Sequence, residues 1–124
     1  MRALGLHLHD HTHDFEVLPV DGLRTGMDLL LEHGDTAAWD FCIDVGWVQQ
    51  GRTDPVACLR RHRARIGFIH LRDFTPAHVS AALGAGAMDL AAIVAELQTM
   101  PGVHWAMVEQ ERGGRSRARR ARQP

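Results

Sequence analysis

Glu16, Asp44, His70 and Glu109 each stand at or just past the carboxyl end of a short apolar run. The runs cover residues 4–8, 39–43, 66–69 and 103–108, and His11 and His13 lie between the first run and Glu16. The four residues are separated by 28, 26 and 39 positions. Each interval holds about one strand and one helix. Parallel strands joined by helices place all their carboxyl ends on one side of a sheet. Two glutamates, an aspartate and a histidine converging there would make a divalent-metal site with room for a substrate. Each residue also has a plainer reading. Asp44 can cap a helix, His70 can be a satisfied core histidine, and Glu109 can be a solvated strand end. Glu16 lies several residues past its run, where Asp10 and Asp14 compete for its role.

The elements that must position these side chains follow from local signals. The first strand is predicted over residues 3–9. His7, His9, His11 and His13 alternate at period two and would share one face of an extended segment. His7 and His9 read as barrel-interior or edge residues, and His33, His62, His78 and His104 as solvent-facing ones. Thr25 is placed to cap a helix running to about His33, with Gly34 as its stop. The second strand spans 39–44. Asp54-Pro55 opens a helix ending near Arg63, by the preference for proline in the first turn. The third strand spans 66–71. A loop covers 75–86, with a turn of helix at 77–82. Asp89 starts a helix to Met100, which Pro101-Gly102 breaks. The fourth strand spans 103–109. Strand and helix thus alternate, which predicts a right-handed parallel α/β sheet with helices on one face.

Composition narrows the function classes. The chain has 124 residues, 45% hydrophobic and 23% charged, as expected of one small globular domain. No run is long enough to span a membrane, and the first residues lack a signal-peptide core, so a cytoplasmic location is expected. Cys42 and Cys58 form no CxxC pair and read as reduced thiols. All 14 basic residues are arginine, which excludes Schiff-base lysine chemistry and a phosphate-loop lysine. Five of them follow Gly114, so residues 113–124 read as a disordered arginine-rich tail and residues 1–112 as the domain. The body carries a net negative charge, which argues against nucleic acid as a partner.

The motifs resemble those of a family. Asp10-His11-Thr12-His13-Asp14-Phe15-Glu16-Val17 resembles the Tyr-His-Asn-His-x-x-Glu-Phe strand end of xylose isomerase-like TIM-barrel proteins, the sugar phosphate isomerases and epimerases. Ile43-Asp44-Val45-Gly46-Trp47 resembles their Leu-Asp-Val-x-Trp, and Ile69-His70-Leu71-Arg72-Asp73 their His-Leu-Lys-Asp. Residues 83–89 are similar to their Gly-Glu-Gly loop, with Ala85 in place of the glutamate. Val108-Glu109-Gln110-Glu111 is similar to their closing Val-Glu-Gln-Asp. Thr12 stands where the family has asparagine and Arg72 where it has lysine.

The resemblance covers only the second half of such a barrel, strands five to eight. It implies the carboxyl-terminal half of a (β/α)8 barrel. It also implies a divalent metal (manganese, magnesium, cobalt or zinc) held by Glu16, Asp44, His70 and Glu109. Glu16 and Glu109 would move protons through a metal-stabilised enediolate. His11, His13 and Arg72 would hold sugar oxygens, and Trp47 would wall the pocket. The implied substrate is a small sugar, sugar phosphate or keto-polyol. A dehydratase or other lyase on the same scaffold is the first alternative, and a non-catalytic remnant or partner-binding module the second. A half barrel leaves sheet edges at its first and last strands, open to self-association or to a missing amino-terminal half.

Overall fold

The computed structural model describes residues 4–110. The expected arginine-rich tail lies outside the described residues, as does Glu111. Four strands form one parallel sheet in the order β1 (Leu8–His11), β2 (Trp39–Asp44), β3 (Ile66–Leu71) and β6 (Trp105–Val108). A short antiparallel hairpin, β4 (Asp73–Phe74) with β5 (Ser80–Ala81), follows β3. The helices are α1 (Gly26–His33), α2 (Val45–Gln50), α3 (Pro55–His62) and α4 (Leu90–Leu97). This is half the strand count of a TIM barrel. Among the described residues no helix is long and apolar enough to cross a membrane.

Each helix starts on a side-chain cap. Thr25 and Asp28 form a reciprocal capping box at α1. The Asp44 carboxylate accepts from Gly46 and Trp47 at α2, Asp54 from Val56 at α3, and Asp89 from Ala92 at α4. The helices cover one face of the sheet. Phe41, Ile43, Ile66 and Ile69 from the strands pack with Val45, Val48, Leu59 and Ile93 in one buried cluster. The opposite face carries the alternate residues, among them Asp44 and His70. The core therefore lies between sheet and helices and needs no barrel closure.

Several expectations are corrected. The first strand begins at Leu8 rather than near residue 3, because pairing with β2 begins at Leu8↔Trp39. Leu4 and Leu6, which suggested a buried run, are exposed. Residues 77–82 form part of a hairpin, not a helical turn. Helix α2 was not foreseen, since it starts directly at the end of β2 with no linker between them. The fourth helix ends at Leu97 rather than Met100, and the last strand is shorter than expected. His62 is buried at the end of α3, edge-on to Phe41 at 5.9 Å, rather than solvent-facing.

Burial, with a smaller contribution from the neighbouring Arg61 charge and opposed by Asp28, pushes the His62 imidazole below its usual pKa. The folded state thus prefers neutral His62, while the unfolded chain takes up a proton near the ordinary value of about 6.5. The stability tied to neutral His62 is complete above that pH and is lost as pH falls towards the lowered folded value. Thermal or urea unfolding of parent and His62→Phe should show it. The parent should lose stability relative to the variant between roughly pH 7 and 5, and a constant difference would remove His62 as the cause.

Candidate metal centre

The carboxyl ends of the four parallel strands bring His11, Asp44, His70 and Glu109 together. One ligand atom from each lies within 4.8 Å of all the others. His11 ends β1, Asp44 ends β2, His70 sits on β3, and Glu109 follows β6. His11 Nε2 is 3.1 Å from His70 Nδ1, 3.6 Å from Glu109 Oε2 and 3.7 Å from Asp44 Oδ2. His70 Nδ1 is 2.5 Å from Glu109 Oε2. Ligand bonds of about 2.0–2.2 Å at tetrahedral or octahedral angles place neighbouring donors roughly 3.0–3.5 Å apart. The donors here bracket that range. They would need to move by under about an ångström to surround one ion.

Asp44 supplies a second observation. Its Oδ1 accepts from the Gly46 and Trp47 N–H groups at 2.9 and 3.1 Å, so the carboxylate is locked as the α2 cap. Its Oδ2 is fully buried and has no hydrogen-bond partner, although Arg72 Nε lies 3.1 Å away. A buried carboxylate oxygen is costly unless a cation faces it, and the Arg72 guanidinium fills that place here. Burial, and to a lesser degree the Glu109 charge, push the Asp44 carboxyl above its usual range against the Trp47 N–H, Arg72 and His11. At Glu109 burial also pushes upward. There the His70 hydrogen bond and the Arg72, His70 and His11 charges prevail, holding the carboxyl below its usual range.

Other parts hold this cluster in place. Thr12 is fully buried, and its hydroxyl accepts from the Asp44 N–H at 3.2 Å. Arg72 is 2% exposed and pairs with both Asp44 and Glu109. Its guanidinium lies over the Trp47 ring at 5.3 Å and the Phe74 ring at 5.9 Å. Gly46 makes room for it, because a Cβ there would meet Phe74 at 2.7 Å and Arg72 at 2.8 Å. The Asp73 carboxylate accepts from the N–H groups of Gly84, Gly86 and Met88, fixing the glycine-containing loop after the hairpin. Cys42, beneath the cluster, has its thiol pushed up to about 11 by burial and by the nearby carboxylates. It stays protonated, as the reading of an inert thiol expects.

Glu16 lies apart from the cluster. Its Oε2 accepts from the His13 N–H at 2.7 Å, within the loop that carries the 3-10 turn Phe15–Val17. The cluster of candidate donors includes His11, expected to bind substrate, and does not include Glu16, expected to bind the metal. The physical reason is strand phase. β1 runs through His11, so His11 projects at the rim while Glu16 lies five residues farther on. The His13 ring stacks on Phe15 at 5.8 Å and lies 5.6 Å from Trp47, making an aromatic wall beside the donors. Thr12 and Phe15 gave no chemical signal in the sequence. The period-two histidines did, because a strand continuing to His11 would present His11 with His7 and His9.

Solved structures share this fold. A sugar phosphate isomerase/epimerase from Parabacteroides distasonis superposes with a TM-score of 0.76 at 22% identity, covering 94% of this chain and 41% of its own. A second sugar phosphate isomerase/epimerase from that organism gives 0.67 at 26%, covering 90% and 40%. The probable 3-DHS dehydratase AsbF of Bacillus anthracis, involved in petrobactin synthesis, gives 0.65 at 14%, covering 87% and 44%. This chain spans about two fifths of the length of these neighbours. No family model matches it, and no curated protein matches it in sequence.

Titration calorimetry with manganese or zinc tests the centre. Thr12→Val leaves every donor in place and frees one buried N–H. It is expected to weaken binding by roughly 10–100-fold, as loss of an outer partner does. Asp44→Asn should weaken it further, since it removes a ligand charge. Parent-like affinity in Asp44→Asn would remove Asp44 from the ligand set.

Proposed function

From its fold, that of part of a xylose isomerase-like TIM barrel, we propose that this chain carries the metal-binding rim of a divalent-metal-dependent sugar isomerase or epimerase. The observation that carries the reading is the four-donor cluster built from the ends of four different strands. Two imidazoles with two carboxylates suit manganese, cobalt or zinc better than magnesium, which favours oxygen donors and water. His11, Asp44, His70 and Glu109 would hold the ion, with Thr12 and Arg72 orienting two of them. Bound there, a divalent ion would stabilise negative charge on a substrate oxygen.

The chain's own groups supply the rest. Glu109 would be the carboxylate that takes a proton from the carbon beside a substrate carbonyl. It follows the last strand, is partly open, and is steered by His70 and Arg72. His13 and Trp47 offer a hydrogen-bonding ring and an apolar wall for a small polyol. Glu16 acts through His13, whose N–H its carboxylate holds, rather than at the substrate. A dehydratase of a keto-polyol is the second reading, favoured by the likeness to the probable 3-DHS dehydratase. Both reactions begin with proton removal beside a carbonyl; an isomerase or epimerase then returns a proton to carbon, whereas a dehydratase expels hydroxide, which leaves as water.

Glu109→Gln keeps the size of the side chain and one ligand oxygen but cannot accept the proton. Solvent deuterium incorporation into candidate ketoses and keto-polyols, at saturating manganese, is expected to fall by roughly 10²–10⁴-fold, the usual worth of a general base. Wash-in equal to the parent would remove Glu109 from the proton transfer. Mass analysis of the product separates the two readings, because only the dehydratase loses water.

A further inference from the structure

The sheet ends in two open edges of different character. On β6 all four residues, Trp105, Ala106, Met107 and Val108, are exposed, on both faces. Trp105 is 66% and Val108 61% exposed. The strand carries no charge, proline or bulge of the kind that protects an edge. The Glu109 N–H donates to Leu71 of β3, so by alternation those of Ala106 and Val108 point outward. On β1 the N–H groups of Leu8 and Thr12 donate to Ala38 and Cys42, so those of His9 and His11 point outward. Beside each edge, on the helical side, runs an apolar groove. One of about 320 Å³ includes Leu8, Leu30 and Trp39, and one of about 290 Å³ includes Val94, Leu97 and Val103.

We propose that the occupant of both edges is a second copy of this chain, and that two copies close one eight-stranded barrel. β6 of each copy would pair with β1 of the other. Strand count and direction carry this. Both open edges belong to one parallel sheet of four strands. A two-fold axis along the barrel sets β6 beside the second copy's β1 in the same parallel sense at both seams. Four strands from each copy give the eight at which such a barrel closes around its side chains. The chain spans 41% of the barrel protein with the highest TM-score among those described above, so two copies together would match about four fifths of that protein's length. Closure also covers the exposed β6 and satisfies the outward N–H groups, whereas an antiparallel β6–β6 pair would leave both β1 edges open. The dimer stands independently of metal binding.

The full chain tests this in solution. Light scattering behind size exclusion should give twice the 13.8 kDa chain mass. Ala106→Pro removes an outward N–H, where proline is tolerated at an edge, and leaves the pairing with β3 intact. It should return the mass to one chain while circular dichroism and manganese binding persist. In case that variant does not fold, a photo-cross-linking amino acid at Leu8 gives a second test, with its adducts expected on β6 of the other copy. A monomeric parent at all concentrations would overturn the proposal and leave the edges to a different partner. So would adducts confined to β1. Manganese binding by a monomeric parent would leave the metal reading standing while removing this one.

Discussion

Parallel pairing turns residues scattered over about a hundred positions of the sequence into a cluster. Asp44 lies opposite His70, His70 opposite Met107, and His11 opposite Cys42. Side chains alternate across a sheet, so a slip of one residue would turn a donor into the helical layer. The register between β2 and β3 contains a step of this kind. Phe41 pairs with Ile66 but Cys42 with Phe68, leaving Gly67 as an extra residue. Without that step Asp44 would face Ile69. With it, Ile43 and Ile69 share the core while Asp44 and His70 share the rim. A Cβ on Gly67 would lie 2.3 Å from the ring of the exposed His9, which would have to swing aside. The step at Gly67 therefore sets the phase of both the core and the site.

Much of this order was legible in the sequence, because it rests on local signals. The cap residues Thr25, Asp54 and Asp89 mark three helix starts, and the second and third apolar runs match their strands. Asp44, His70 and Glu109 were identifiable because each follows an apolar run without a gap. What escaped was phase and dual use. The leucines at 4 and 6 drew the first strand too early, yet they meet no neighbouring strand and stay exposed. That shift passed over His11 as a member of the candidate donor cluster. Helix α2 was hidden because Asp44 both ends a strand and caps a helix, so no linker separates the two patterns. The hairpin after β3 rests on Asp73 binding three backbone N–H groups, a long-range contact with no local period.

Arg72 shows how the acidic rim is kept stable. A buried guanidinium is costly unless its charge is matched and its faces are packed. Asp44 and Glu109 match the charge, and Trp47 and Phe74 pack the faces. Arginine suits this place better than the lysine of the resembled motif, because a planar fork can reach two carboxylates and stack at once. The same contacts set a competition. Arg72 approaches the Asp44 oxygen that a cation would take, so a cation entering the cluster must share or displace that contact.

The two faces of the sheet divide the work. The helical face buries Phe41, Ile43 and Ile69 completely, and its core closes within four strands. The other face carries the histidines of β1, Asp44, His70 and Arg72, groups that packing alone would not bring together. Folding thus draws on one face and chemistry on the other, and each demands a different kind of completion. The core is complete when the helices dock. The polar face and the two strand edges are left open by the described residues. A half barrel can therefore be a stable fold while the pocket above its rim still depends on what lies across the open edges.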